Sequence, residues 1–232
     1  MRPELSRIVG SGRILLVTAA PAEARAVMAA LGGAGEPGPW TLVAADDRTD
    51  VLVTGIGKVN AGAAVARFAN PARHMAVLNV GIAGVLPGAG LEIGRSIAAT
   101  ACVYADEGVE SSEGFKDCGE MGFPLGDFPG RCVPVNEALL AATRTVTDAA
   151  GPIATVSTCS GTDALAARVR ERTGGLAEAM EGAAVAHVCR RLGLAGGELR
   201  VVSNTTGERS GQRWDLRGSL RALSEVLGRL LR

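Results

Sequence analysis

Short apolar runs that end in small residues constrain this chain more than any other feature of its sequence. Residues 13–18 and 75–80 lack the polar–apolar alternation of a strand with one wet face, so we expect strands that are buried on both faces. Helical patterns lie between such runs, as at residues 21–31, which start with Pro21 and are followed by Gly32. Strands that alternate with helices predict a three-layer α/β/α domain with a central mixed, largely parallel sheet.

The rest of the chain continues this alternation. Strand patterns occupy residues 40–45, 50–54, 96–104, 153–158, 178–180 and 198–203. Helical patterns occupy residues 59–70, 135–149, 165–171, 181–192 and 214–230. Between them, residues 106–131 form a connection punctuated by glycine and proline that is long enough to be functional. We expect residues 1–12 to be a flexible lead-in and residues 13–232 to form a single domain.

Composition argues against several classes of partner. Lys+Arg and Asp+Glu balance at 24 each, so no overall field favours nucleic acid or an anionic membrane. No apolar run approaches the ~18 residues that a membrane span needs. The five cysteines form no Cys-x-x-Cys pair and there are only two histidines, which gives no metal-site pattern and fits a reducing cytoplasm. A small molecule or another protein is the expected partner.

Three polar residues fall where predicted strands end. Glu23 lies in the first helical turn beyond residues 13–18, Glu181 follows residues 178–180, and Asn204 follows residues 198–203. In open α/β sheets, ligands bind at this edge. A carboxylate at a buried junction is costly unless something uses it, yet acidic first turns are also common because the helix dipole favours them. Spacing alone leaves both interpretations open.

A glycine-rich stretch adds backbone groups to these candidates. Residues 81–88 are predicted to be a loop in which backbone N–H groups, including those of Ile82, Ala83 and Gly84, can approach a ligand closely. The stretch lacks the full Gly-x-Gly-x-x-Gly spacing, and the chain has no phosphate loop, nucleophile elbow or zinc-binding His-Glu-x-x-His helix. A dinucleotide-dependent dehydrogenase is therefore disfavoured, and no cofactor or metal is expected.

Six short motifs occur in order along the chain. They are Ala22-Glu23, Gly55-Ile56-Gly57-Lys58-Val59-Asn60, Asn79-Val80-Gly81-Ile82-Ala83-Gly84, Ser160-Gly161-Thr162, Ala179-Met180-Glu181-Gly182-Ala183 and Arg200-Val201-Val202-Ser203-Asn204. Together they resemble the nucleoside phosphorylase and nucleosidase superfamily, and residues 13–232 are most similar to its futalosine hydrolases. The resemblance implies a nucleoside phosphorylase-like fold that hydrolyses the N-glycosidic bond of futalosine in menaquinone biosynthesis. Hypoxanthine and dehypoxanthine futalosine are then the products.

The resemblance also implies roles for individual residues. Glu23 matches the glutamate that activates the attacking water, and Met180 and Glu181 match the pair that contacts the ribose. Asn204 stands where relatives that hydrolyse adenine nucleosides have aspartate. An amide can donate to O6 and accept from a protonated N7 at once, so this change favours hypoxanthine over adenine.

Other positions bear on the nucleophile and on the far end of the substrate. Ile82 stands where nucleosidase relatives often have serine, and its side chain cannot donate to phosphate, which favours water as the nucleophile. Phe115 and Arg209 are candidates for contacting the carboxyphenyl end of futalosine, while Thr158, at the end of a predicted strand, is a further substrate-binding candidate. The resemblance implies a homodimer or a larger homo-oligomer, with residues 106–131 as a candidate interface.

Two kinds of alternative stay open. One is a related enzyme, either a 6-oxopurine nucleoside phosphorylase or a methylthioadenosine/S-adenosylhomocysteine-type nucleosidase. The other is a non-catalytic nucleoside-binding module that keeps the fold without the chemistry. The presence of both Glu23 and Glu181 argues against the second, because a module that only binds has less need of a general base.

Overall fold

A computed structural model describes the whole chain, residues 1–232. Its strands are β1 (Arg13–Thr18), β2 (Thr41–Ala44), β3 (Thr49–Val53), β4 (His74–Val85), β5 (Ser96–Tyr104), β6 (Gly108–Ser111), β7 (Gly114–Asp117), β8 (Cys132–Pro134), β9 (Ala149–Thr155), β10 (Ala177–Ala179) and β11 (Ala195–Thr205). Its helices are α1 (Pro3–Val9), α2 (Pro21–Ala30), α3 (Lys58–Phe68), α4 (Glu137–Arg144), α5 (Asp163–Thr173), α6 (Gly182–Leu192) and α7 (Leu216–Leu231). The predicted alternation of strands and helices is confirmed.

The central sheet is mixed and closes on itself. Parallel pairs join β3 to β1, β1 to β4, β4 to β11, β5 to β9 and β9 to β10. Antiparallel pairs join β2 to β3, β11 to β5 and β5 to β8. Because β10 also pairs with β4, the strands β4, β11, β5, β9 and β10 form a closed ring. The predicted three-layer architecture is confirmed, and the ring closure is a feature that the sequence did not reveal.

Helices cover both faces of the sheet with apolar side chains. On one face, Leu16 of β1 and Leu78 of β4 pack with residues of α2 and α7, such as Val27 and Leu227. On the other face, α3 and α6 cover the alternate residues of the same strands. Strands that are buried on both faces in this way explain the continuous apolar runs of the sequence.

Residues 1–12 were predicted to be a flexible lead-in, and this is wrong for most of their length. Residues 3–9 form α1, and Leu5 and Val9 are completely buried in the core beside α7 and α4. The backbone N–H of Arg2 donates to the carbonyl of Leu230 at 3.1 Å, so the start of the chain is joined to its last helix. Short length and two isolated apolar residues hid this amphipathic turn from the sequence analysis.

Residues 81–84 were predicted to be a loop, but they continue β4 as far as Val85. Gly81 pairs with Arg200 of β11, and Gly84 pairs with both Asn204 of β11 and Glu178 of β10. The glycines are needed for close approach by neighbouring side chains rather than for a turn. The helix predicted at residues 135–149 ends at Arg144, because residues 149–155 form β9 beside β5.

The amino-terminal edge of the sheet is fixed by a buried charge cluster. Asp50 of β3 accepts hydrogen bonds from Arg13 at 2.8 and 3.0 Å and from Arg73 at 2.7 and 3.1 Å, and it lies 2.9 Å from His74 Nε2. Burial alone would raise the pKa of Asp50, but the bonds from Arg73, Arg13 and His74 outweigh burial and hold that pKa well below its usual range. This cluster joins the starts of β1, β3 and β4.

No helix is both long and apolar enough to cross a membrane. No three His, Cys, Asp or Glu side chains are arranged to hold a metal ion.

Candidate active site

Glu23 is held over the middle of the sheet by backbone donors from two elements. It is the third residue of α2, from which its Oε2 reaches back to the N–H groups of Ala19 and Ala20, both at 3.0 Å. Its Oε1 accepts from the N–H of Ile82 on β4 at 2.9 Å. The side chain is only 5% exposed. The sequence prediction that Glu23 lies just beyond the first strand is confirmed, and the structure brings it against residues 81–82.

Glu181, which is distant from Glu23 in the sequence, reaches the same cluster of side chains. It precedes the first residue of α6, and its Oε1 accepts from the N–H of Gly57 at 3.0 Å. Its Oε2 accepts from the N–H of Met180 at 3.3 Å and from Arg200 Nη2 at 3.2 Å. The two carboxylates are therefore linked through one side chain that carries the opposite charge, that of Arg200.

Arg200 is the centre of this network, and it is only 1% exposed. Its Nε donates to Glu198 Oε1 at 2.8 Å, its Nη2 to Glu181, and its Nη1 lies 3.9 Å from Glu23 Oε1. Nη1 also donates to the carbonyl of Ile82 at 3.4 Å. Sequence reasoning gave Arg200 and Glu198 no role, although two charged residues inside an otherwise apolar strand pattern were a usable signal.

The burial of these charges changes their proton affinities. Burial raises the pKa of Glu23 above its usual value, against the opposing effects of Arg200 and the Ile82 N–H, and the charge of Glu181 raises it further. Burial alone would lower the pKa of Arg200, but Glu198, Glu181 and Glu23 outweigh it and raise that pKa. Arg200 is thus a permanent cation, and Glu23 is a weaker acid than an exposed glutamate.

Two glycines make room for the network. A Cβ on Gly81 would lie 2.2 Å from Glu23 Oε1 and 2.5 Å from Arg200 Nη1. A Cβ on Gly182 would lie 2.0 Å from Glu198 Oε2. Neither glycine has a positive φ, so steric space rather than backbone conformation requires them. The small residues of the Gly81 and Gly182 motifs are explained by the side chains that cross over them.

Asn204 occupies the next part of the same edge. The pairing of β11 with β4 shifts register between Val202 and Asn204, which aims Asn204 across Gly84. Its Nδ2 donates to the carbonyl of Thr205 at 2.9 Å, and its Oδ1 accepts from Ser203 Oγ at 2.8 Å. Gly81 and Gly84 are three residues apart, about 10 Å along a strand. The amide therefore lies three residues further along β4 than the position crossed by Glu23 and Arg200.

The other predicted site residues range from buried to exposed. Ala83 and Gly84 are buried in β4, and Met180 is half-buried beside Leu86. Thr158 is exposed, because β9 ends three residues earlier than the predicted strand. The Phe115 ring lies on β7 with the guanidinium carbons of Arg172 and Arg131 at 3.8 and 5.4 Å from its centroid. Arg209 is exposed and bonds to Gln212 at 2.9 Å.

Comparison with known proteins identifies the family. A family model described as Phosphorylase superfamily matches residues 42–232, so the chain belongs to that superfamily. A futalosine hydrolase from Acidothermus cellulolyticus is 39% identical over 93% of this chain and 89% of its own length. The futalosine hydrolase of Streptomyces coelicolor is 34% identical over 94% of each chain. Within the superfamily, the chain therefore belongs to the futalosine hydrolase family.

Solved structures share the fold. The 5′-methylthioadenosine/S-adenosylhomocysteine nucleosidase of Helicobacter pylori superposes with a TM-score of 0.76 at 21% identity, over 96% of this chain and 98% of that one. The native futalosine hydrolase of the same organism gives a TM-score of 0.75 at 20% identity, over 95% and 97% of the two chains. At these identities the likeness concerns the fold, and it confirms the nucleosidase-like architecture.

Replacing Gly182 with alanine tests the packing of the buried network. The added methyl group has no room beside Glu198, so Gly182→Ala should lower the free energy of unfolding by about 1–3 kcal/mol. In the control Gly62→Ala, on α3, the new Cβ meets Val188 at 3.7 Å, an ordinary contact, and stability should stay unchanged or rise by up to about 1 kcal/mol. Urea unfolding measures both variants, and equal stabilities would contradict the proposed crowding.

Proposed function

We propose that this chain hydrolyses the N-glycosidic bond of futalosine, releasing hypoxanthine and dehypoxanthine futalosine as a step of menaquinone biosynthesis. The observation that carries the proposal is the buried pair Glu23 and Glu181, held together by Arg200 at the edge where ligands bind in such folds. Membership of the futalosine hydrolase family supports the choice of substrate.

The two carboxylates suit a reaction that builds positive charge on the sugar. As the bond from C1′ to the base breaks, its electron pair leaves with the base and the ribosyl carbon becomes cation-like. Glu181 accepts hydrogen bonds from the ribose hydroxyls and stabilises that charge in a site with little water. Glu23 takes a proton from the water whose oxygen bonds to C1′, and the leaving base takes up a proton that comes from solvent.

Typical rate enhancements show that the two glutamates alone do not account for catalysis, so a group that stabilises the leaving base must also contribute. A positioned general base typically contributes ~10²- to 10⁴-fold, or about 3–5 kcal/mol. Enzymes accelerate reactions by about 8–23 kcal/mol in total, so stabilisation of the leaving base supplies much of the remainder. Asn204, at the far end of residues 81–84, is the proposed residue for this role.

Asn204 has the hydrogen-bonding capacity that a 6-oxopurine requires. One Nδ2 hydrogen is used by Thr205 and one Oδ1 lone pair by Ser203, which leaves one donor and one acceptor free. These match O6, which accepts, and a protonated N7, which donates. A carboxylate at this position would face O6 with a second acceptor, so the amide favours hypoxanthine over adenine.

Water is favoured over phosphate as the nucleophile because no cation near Glu23 is free. Each nitrogen of Arg200 faces a carboxylate or the Ile82 carbonyl, and the Ile82 side chain is apolar. Arg25, two residues further along α2, is exposed and paired with Glu36. A phosphate dianion would meet two carboxylates without a free positive charge to balance it, which argues against the phosphorylase alternative.

One assay tests the proposed function. The protein is incubated with futalosine, inosine or methylthioadenosine, with and without phosphate, and the released base is identified. We expect fast, phosphate-independent release of hypoxanthine from futalosine, slower release from inosine, and little adenine from methylthioadenosine. Phosphate dependence would instead support a phosphorylase, preferred release of adenine a methylthioadenosine-type nucleosidase, and binding without turnover a non-catalytic module.

Glu23→Gln should leave futalosine binding nearly intact and lower kcat by about 10²- to 10⁴-fold, because the amide cannot take the proton of water. In the parental enzyme, kcat/KM should fall as pH drops through the pKa of Glu23, which burial raises above the usual range for glutamate. The base works only when deprotonated, so activity is lost on the acidic side. Kinetics across pH measure this, with the exposed Glu225→Gln on α7 as control. Parental turnover by Glu23→Gln would disprove the role.

We also propose that the chain forms a homodimer through the amino-terminal end of α3. Ile56, just before α3, and Val59, in its first turn, are 61% and 84% exposed, and exposed apolar side chains of this kind are candidates for a contact between copies of the chain. Val59→Asp should convert a dimer into a monomer in light scattering at micromolar concentration, because a charge would be buried at the contact. Trp40→Ser, at another exposed apolar residue, should not. A monomeric parental protein would contradict the proposal.

A cytoplasmic location completes the proposal. All five cysteines are unpaired thiols, and Cys102 and Cys189 are buried. Unpaired thiols in this number fit a reducing compartment.

A further inference from the structure

Glu178 is a buried carboxylate that lies outside the Arg200 network. It is 5% exposed on β10, where the neighbouring Ala177 and Ala179 face the core on the other side of the strand. Its Oε1 accepts from the N–H of Ser160 at 2.7 Å, and its Oε2 accepts from Ser160 Oγ at 2.6 Å. Both carboxylate oxygens are thus used to hold one residue of the turn before α5. A buried charge devoted to one turn is costly and calls for a function.

The strand register relates Glu178 to Asn204. Both residues pair with Gly84 of β4, Asn204 from β11 and Glu178 from β10. Residues directly opposite one another in a sheet have side chains on the same face, and strands lie about 4.8 Å apart. Asn204 and Glu178 therefore flank Gly84 at a separation of about 10 Å, and Gly84 places no side chain between them. Ser160, bound to Glu178, stands across this gap from Asn204.

Gln212 joins the Ser160 turn to the segment that follows β11. Gln212 Nε2 donates to the carbonyls of Ser160 and Gly207, both at 2.9 Å. Its Oε1 accepts from Arg209 Nη1 at 2.9 Å and from Trp214 Nε1 at 3.2 Å. The amide is fully used in joining the segment after β11 to the Ser160 turn.

The same segment is also joined directly to the end of β11. Trp214 forms a bridge with Asn204, the N–H of Thr205 donates to the carbonyl of Arg213 at 3.1 Å, and the N–H of Asp215 donates to that of Ser203 at 2.9 Å. In addition, the N–H of Arg209 donates to the carbonyl of Gly161 at 3.1 Å. Hydrogen bonds therefore run in a continuous circuit from Asn204 through residues 205–214 to Ser160 and Glu178, and back across Gly84.

We propose that Glu178 is a positioning residue for the purine: it fixes the Ser160–Gly161 turn opposite Asn204, and Gln212 completes the frame that receives the base. The inference deepens the proposed function and rests on it. In this frame Asn204 contacts one edge of the hypoxanthine ring and the turn contacts another. Glu178 acts through Ser160 and does not itself contact the substrate.

Two substitutions at Glu178 separate positioning from proton transfer. Glu178→Ala removes both bonds to Ser160, so KM for futalosine should rise about ten-fold or more with a smaller change in kcat. Glu178→Gln can still accept from the Ser160 N–H with its Oε1 and donate to Ser160 Oγ with its Nε2, so it should restore the parental KM and kcat. A kcat that Glu178→Gln fails to restore would mean that the carboxyl proton takes part in the reaction, and would overturn the proposal.

A measurement without substrate follows the turn itself. Hydrogen exchange of the Ser160 amide should be at least about ten-fold faster in Glu178→Ala than in the parental protein, and unchanged in Glu178→Gln. Glu171→Ala, at an exposed residue of α5, is the matched control for both readouts. If Glu178→Ala does not fold, Gln212→Leu tests the proposal instead, because Gln212 is partly exposed. This variant loses the bonds to the carbonyls of Ser160 and Gly207, so it should raise both the KM for futalosine and the exchange rate of the Ser160 amide.

The outcomes separate this inference from the proposed function. Parental KM and parental Ser160 exchange in Glu178→Ala or Gln212→Leu would overturn the positioning role while futalosine hydrolysis stands. A parental protein that does not hydrolyse futalosine would refute the proposed function. In that case isothermal titration with hypoxanthine decides the inference, and equal affinity in the parental protein and Glu178→Ala would overturn it.

Discussion

The buried guanidinium of Arg200 is the interaction on which the site depends. Three carboxylates surround it, and their positions come from four separate parts of the chain: α2, the start of α6, β11 itself and the turn at Gly57. A planar group with donors in fixed directions can hold several carboxylates at set angles, which a lysine ammonium cannot. Burial raises the pKa of Glu23 in this network, although the charge of Arg200 opposes the shift.

A cluster of acidic and basic residues lies at each end of the parallel strands, and the two clusters shift the pKa of a carboxylate in opposite directions. At the amino-terminal edge, one aspartate, Asp50, is surrounded by Arg13, Arg73 and His74, and its pKa is lowered. At the carboxyl edge, one arginine is surrounded by acids, and the pKa of Glu23 is raised. The first arrangement stabilises an ionised carboxylate, whereas the second raises the proton affinity of the carboxylate that we propose as the general base.

The sequence predicted the features that depend on neighbouring residues, and it missed those that depend on residues far apart along the chain. The junction positions of Glu23 and Glu181 follow from apolar runs, Pro21 and the small residues after Glu181, all of which are local in the sequence. The charges of Arg200 and Glu198 in an apolar strand pattern were a local signal, but the role of Arg200 could not be predicted. Its other partners, Glu181 and Glu23, are 19 and 177 residues away along the chain, and only the folded sheet brings them together. Residues 81–84 were assigned to a loop for the same reason: glycine that admits a neighbouring side chain looks, in one sequence, like glycine that turns the backbone.

The closed ring of β4, β11, β5, β9 and β10 restricts how a pocket of this kind can change. An open sheet can widen by adding a strand at its edge, but a ring has a fixed circumference, and an inserted strand would move every residue that lines it. Apart from single side-chain changes such as the one at Asn204, substrate range therefore has to vary through connecting segments such as residues 106–131 and 206–215. The closed ring thus sets a constant width for this part of the fold, and the connecting segments are the parts that can change in length and shape.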